Sequence, residues 1–143
     1  MDALTLLREA GWYPDRSVDI SADVEALRAE GFEVTETAER FLREYSHLSI
    51  TGETKSSPLI IDGVVVARNA DTGWCELYSE AIGTVFVPVG EYSHMTLYVD
   101  LDGGLWGGFD GEYGRGGSSL LEVIQGMFID QPGWRFDRRL ELD

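Results

Sequence analysis

The apolar residues of this chain change their period part-way along it. In the first third, Ala38, Phe41, Leu42 and Tyr45 fall at i, i+3, i+4 and i+7, the spacing of one helical face. Later the apolar runs become short and are punctuated by turn residues. Met95–Asp100 and Leu105–Phe109 flank Leu101-Asp102-Gly103-Gly104, a strong hairpin signal. Helices followed by mostly antiparallel strands, with helices inserted among them, specify an α+β fold. A chain of 143 residues suits a single domain over 1–143.

The same reasoning places the other elements. Asp2–Ala10 is a short amphipathic helix bearing Leu4, Leu6 and Leu7, stopped by Gly11, and Trp12-Tyr13-Pro14 breaks the pattern. Ser21 is expected to cap a second helix, with Asp23 and Glu25 in its first turn, Val24, Leu27 and Phe32 inward, and Gly31 just past its end. Thr35 or Thr37 caps the third. His47–Thr51 reads as a short strand and Gly52–Pro58 as a polar loop with the only lysine, Lys55. Asp62-Gly63 between Leu59-Ile60-Ile61 and Val64-Val65-Val66 favours a hairpin or an interrupted strand. Thr72 is expected to cap a helix over Trp74–Ile82 that Gly83 ends, before a strand at Thr84–Val89. Gly114–Gly117 reads as a glycine-rich loop, Ser118 or Ser119 opens a last helix through Phe128, and the tail runs from Trp134 to Asp143.

Charge is the first clue to function. There are 26 acids against 11 bases, a formal net charge of −15. Such a field repels nucleic acid and anionic membranes and speeds the approach of a basic partner. From Asn69 to Asp130 ten acids face one base, Arg115. An acidic face is therefore expected in the C-terminal half. The lone Cys75 excludes an internal disulfide. The opening Met-Asp-Ala-Leu-Thr-Leu-Leu-Arg-Glu lacks the apolar run of a signal peptide, and no run approaches the ~20 residues of a membrane span. The expected location is cytoplasmic.

Catalytic patterns are weak throughout. His47 and His94 recur in Glu-Tyr-Ser-His segments, 44–47 and 91–94, without metal-ligand spacing, so no metal or other cofactor is expected. Cys75 lacks an adjacent base, and Gly116-Gly117-Ser118-Ser119 is no nucleophile elbow. Gly107-Gly108-Phe109-Asp110-Gly111 and Gly114–Gly117 do not make a phosphate loop, and are expected to serve turns and a helix entrance. The carboxylate pairs Asp100/Asp102 and Asp110/Glu112 lie at expected strand ends, where solvation disfavours acid–base work. Aromatics sit in the same half: Trp74, Tyr78, Tyr92, Tyr98, Trp106 and Tyr113. Acids mixed with Tyr and Trp suit a protein-binding surface of anchors and rim. The expected contacts are Asp71, Glu76, Asp100, Asp102, Trp106, Asp110, Glu112 and Tyr113, with no catalytic residue.

The run Leu7-Arg8-Glu9-Ala10-Gly11-Trp12-Tyr13-Pro14-Asp15-Arg16-Ser17-Val18-Asp19 resembles the opening of the third SUKH subfamily of bacterial immunity proteins. The similarity continues through Ala26–Phe32, Ala38–Leu42, Ile82-Gly83, Val87–Glu91, Leu97–Asp100 and the helix Ser119–Phe128. It departs after the third helix, where Tyr45-Ser46-His47 replaces a Phe-Gly-Gly-like turn. The resemblance implies a SUKH-like fold, with a central, mostly antiparallel sheet flanked by N-terminal helices and a C-terminal helix. It also implies an immunity role, in which the chain binds and blocks a cognate toxin, often a nuclease or deaminase. It supplies no catalytic residues. A basic nuclease cleft suits an acidic blocker. Two other readings carry their own signatures: an intracellular scaffold or adaptor would have no toxin gene beside it, and a small hydrolase would need a buried carboxylate or histidine at the base of a cleft.

Overall fold

The computed structural model describes residues 2–53, 57–130 and 134–141. Its helices are α1 (Ala3–Glu9), α2 (Ser21–Ala29), α3 (Glu36–Tyr45), α4 (Gly63–Asn69), α5 (Thr72–Ile82) and α6 (Leu120–Ile124), the last widening into a π-helical turn at Gln125–Ile129. Strands β1 (Leu48–Ile50), β2 (Leu59–Ile61), β3 (Val87–Tyr92), β4 (Met95–Val99), β5 (Leu105–Phe109), β6 (Glu112–Gly117) and β7 (Arg138–Arg139) form one antiparallel sheet in sequence order. This is the expected α+β fold.

The register divides the sheet into two faces. Leu48, Ile50, Leu59, Ile61, Leu97, Val99 and Leu105 share one face and are buried. That face is covered by α1, α6, the π turn and the Trp134 ring. The other face carries Tyr98, Trp106 and Tyr113 under the Tyr78 and Phe86 rings. Leu42 of α3 is fully buried, as its helical spacing requires; truncating such a residue to Ala costs about 2–5 kcal/mol.

Caps explain the helix starts, and several differ from expectation. Thr35 Oγ1 accepts from Ala38 N (3.1 Å), so Thr35 rather than Thr37 caps α3. Ser21 is not the cap of α2. Its N–H and hydroxyl both donate to Asp19 Oδ1 (2.9 and 2.6 Å), because a charged acceptor takes donors more strongly than a hydroxyl does. Asp71 rather than Thr72 caps α5, accepting from Trp74 N at 3.1 Å. Gly83 closes α5 in the left-handed region, φ +80°.

Three expectations at Val64–Val66, Thr84–Val89 and Gly114–Gly117 fail for identifiable reasons. Val64–Val66 are helical, because Asp62 Oδ1 accepts from the N–H groups of Val64 (2.9 Å) and Val65 (3.2 Å) and nucleates α4. β3 starts at Val87 rather than Thr84. The N–H groups of Thr84 and Phe86 are taken by Ser79, at its carbonyl and its hydroxyl (both 3.1 Å), and so cannot join the ladder. Gly114–Gly117 belong to β6 and are not a loop. A Cβ at Gly116 would collide with the Trp134 ring and one at Gly114 with the Arg135 carbonyl, so small residues let the tail lie on the strand. Segment 54–56, with Lys55, lies outside the described residues, as does the end of the tail at 142–143.

Candidate functional site

The eight expected contact residues separate into exposed and buried sets. Asp71, Glu76, Asp102, Asp110 and Glu112 are exposed. Trp106 and Tyr113 are core residues at 5% and 6% exposure, their rings packed at a tilt against Phe86 and Tyr78 respectively. Asp100 is 9% exposed, against the expectation of a solvated pair with Asp102. Its Oδ1 accepts from Asp102 N (2.9 Å) and Gly104 N (2.8 Å), and its Oδ2 from Trp106 Nε1 (2.9 Å). Asp100 therefore holds the β4–β5 turn together from within and presents nothing to a partner.

Helix α5 relates the exposed acids to one another. From mid-helix, Tyr78 Oη accepts from Gly111 N (2.9 Å), and near the N-terminal end the Trp74 ring packs on Gly111 beside Asp110. Beyond the other end, Thr84 Oγ1 accepts from Leu101 N (3.3 Å) beside Asp102. The eleven residues of α5 span about 16 Å, and the five of β5 about 17 Å, so the helix runs the length of the strand from one acidic turn to the other. Its solvent side carries Gly73, Glu76, Leu77 and Glu80 and no base. A groove of about 400 Å³ lies alongside, lined by Phe32, Glu33, Glu76, Leu77, Glu80 and Phe86 among others. Glu112 pairs with Phe109, while its neighbour Tyr113 points toward α5. By strand alternation the Glu112 side chain points to the other face, away from this helix. Arginines border the sheet edge: Arg115 on β6, and Arg138 on β7 over the Trp106 ring at 5.5 Å.

Four groups able to do covalent chemistry, Cys75, Tyr78, Tyr98 and Ser46, are engaged in the fold. Burial pushes the Cys75 thiol up to about 12, and its Sγ donates to the Phe86 carbonyl at 3.2 Å. Burial likewise raises the Tyr78 and Tyr98 phenols. Ser46, Asp23 and His47 converge, yet not as a nucleophilic triad. The Ser46 hydroxyl donates to Asp23 Oδ2, so its proton goes to the carboxylate and not to the imidazole.

That convergence is the feature spacing along the chain did not reveal. Asp23 is 0% exposed, on the first turn of α2. Its Oδ2 also accepts from Gly63 N (3.1 Å), and its Oδ1 lies 3.2 Å from His47 Nε2. Asp62 completes the group, one ligand-capable atom of each of the three residues lying within 4.8 Å of the others. The residues come from α2, the α3–β1 junction and the β2–α4 junction. The only local signal was the pairing of Asp62 with Gly63, where a Cβ would strike Asp23.

The N-terminal run that carries the resemblance folds around this junction. Arg16 donates from Nη1 to the Glu44 carbonyl (2.6 Å) and from Nη2 to the Ser46 carbonyl (2.8 Å), and Trp12 Nε1 donates to Glu44 Oε2 (3.0 Å). A family model described as SUKH-3 immunity protein matches residues 1–127. The chain belongs to the SUKH-3 immunity protein family. No curated protein and no solved structure matches it. In this SUKH-3 chain Trp12 and Arg16 of the opening run clamp the end of α3. Among the described residues no helix is long and apolar enough to cross a membrane.

Proposed function

We propose that this SUKH-3 protein neutralises a cognate toxin domain of a bacterial polymorphic toxin system, in the cytoplasm, by covering its active cleft with the acidic side built on α5. The observation that carries the reading is the solvent side of α5, where Glu76 and Glu80 flank the exposed Leu77 with no base among them. Asp71 and Asp110 extend the acidity at one end and Asp102 at the other. A toxin of complementary, basic surface fits, and nucleases and deaminases acting on nucleic acid have such clefts. Carboxylates on a rigid helix can occupy positions that phosphates take in the toxin's substrate, while Leu77 and the groove supply apolar contact. No chemistry is required of the blocker.

Asp100, Trp106 and Tyr113 have no place in this surface except as its support. Glu112 points to the opposite face and is expected to contribute little. The test is co-expression with the toxin encoded beside the gene. Growth rescue by the wild type, lost in a Glu76→Lys/Glu80→Lys variant that still folds, is the expected result. Full rescue by that variant would remove α5 from the interface, and failure of the wild type to rescue or to co-purify would overturn the function itself.

A further inference from the structure

We infer that Asp23, His47 and Asp62 form a binding site for a divalent first-row transition-metal cation, with zinc the fitting probe. Each carboxylate has one oxygen committed to the fold. Asp23 Oδ2 accepts from Ser46 Oγ and Gly63 N, and Asp62 Oδ1 accepts from the Val64 and Val65 N–H groups. Beyond those bonds, among the described residues Asp23 Oδ1 and His47 Nε2 are paired only with each other, a contact that a bound cation would replace. One ligand atom from each of the three residues lies within 4.8 Å of the others. Ligands oriented by hydrogen bonds to their other atoms are what metal sites use to fix geometry.

The chemistry of the donors selects the ion. An imidazole nitrogen with two carboxylates suits zinc and its neighbours and is foreign to magnesium and calcium, which take all-oxygen shells. The 3.2 Å between His47 Nε2 and Asp23 Oδ1 matches the roughly 3.3 Å edge of a tetrahedron with ~2.0–2.1 Å arms. His47 supplies the entry path, since its side chain is 44% exposed while that of Asp23 is fully buried. Two carboxylates meet here, and among the described residues the one side chain within ion-pair distance of Asp23 is His47, which is a cation only when protonated. Bound there, a cation ties α2 to the starts of β1 and α4. The site is a structural clasp that shares no residue with the acidic side proposed for toxin binding, so its test is independent of that reading.

Zinc chloride is titrated calorimetrically into chelator-stripped full-length protein near neutral pH, with thermal melts of the same samples. Saturable binding of one ion per chain and a raised melting midpoint are expected. His47→Asn keeps a residue that tolerates the positive backbone φ of +71° at this position but lacks the imidazole. Asp62→Asn keeps the helix cap and loses the charge. Each is expected to weaken zinc by at least about tenfold, the scale on which even outer ligand partners act. His94→Asn is expected to bind as the wild type does. No saturable uptake by the wild type overturns the site, as does unchanged uptake in both His47→Asn and Asp62→Asn.

Discussion

Asp100 and Trp106, at the two ends of the β4–β5 turn, are joined by a 2.9 Å hydrogen bond from Trp106 Nε1 to Asp100 Oδ2 inside the core. The bond converts an acidic residue of the β4–β5 connection into an internal brace. Trp106→Phe keeps most of the ring and removes the donor, leaving a buried carboxylate oxygen short of a partner. The expected loss is about 1–3 kcal/mol of unfolding free energy, read from the denaturant midpoint at constant slope. A change within a few tenths would show that water replaces the indole freely.

Arg16 is expected to matter to folding and not to partner affinity. Arg16→Lys offers a point charge where two carbonyls need a fork, so both the Glu44 and the Ser46 contacts weaken. A loss of about 1.5–3 kcal/mol, the range for bonds to charged groups, is expected in chemical denaturation. Unchanged stability would contradict the clamp.

Gly116→Ala forces a methyl into the Trp134 ring. Overpacking of this kind costs about 1–3 kcal/mol, and the Trp134 indole, which donates to the Gly114 carbonyl at 3.0 Å, should leave β6. A red shift in tryptophan emission with reduced stability is the expected signature. Native emission would mean the tail is not anchored by these glycines.

Alkaline pH should destabilise the fold in a defined direction. The Cys75 thiol is raised by burial from 9.0 to about 12, and the Tyr45, Tyr78 and Tyr98 phenols are raised from 10.0, again chiefly by burial. The folded state therefore holds protons that the unfolded chain releases. The associated stability is present below pH 9.0, the midpoint of the unfolded thiol, and is lost as pH rises from there through about 12. Thiol-reagent labelling of native protein should stay slow at pH 9 and become fast in denaturant; rapid native labelling would show Cys75 to be accessible.

Much of the architecture is legible in the sequence because local and global preferences agree. The α3 stripe, Gly83 as a stop and the hairpin around Asp102-Gly103 are each set by backbone and period, and the structure keeps them. What fails turns on long-range partners. Val64–Val66 have strand propensity, but two backbone donors find Asp62 and the residues wind into α4. Gly114–Gly117 read as a loop until Trp134, far along the chain, packs on them. Asp100 and Asp102 are indistinguishable as letters; one points in to Trp106 and the other out. Asp23 looks like a first-turn helix acid, and only the meeting of three segments makes it the buried centre of a cluster.

The central claim, that the acidic side built on α5 meets a basic toxin, is tested most directly by stopped-flow association with the toxin domain encoded beside the gene. For the wild type, the association rate should be high at low salt and fall steeply as salt rises. In Glu76→Lys/Glu80→Lys it should be slower by about tenfold or more and much less dependent on salt. Equal rates and equal salt dependence for the two proteins would contradict the account.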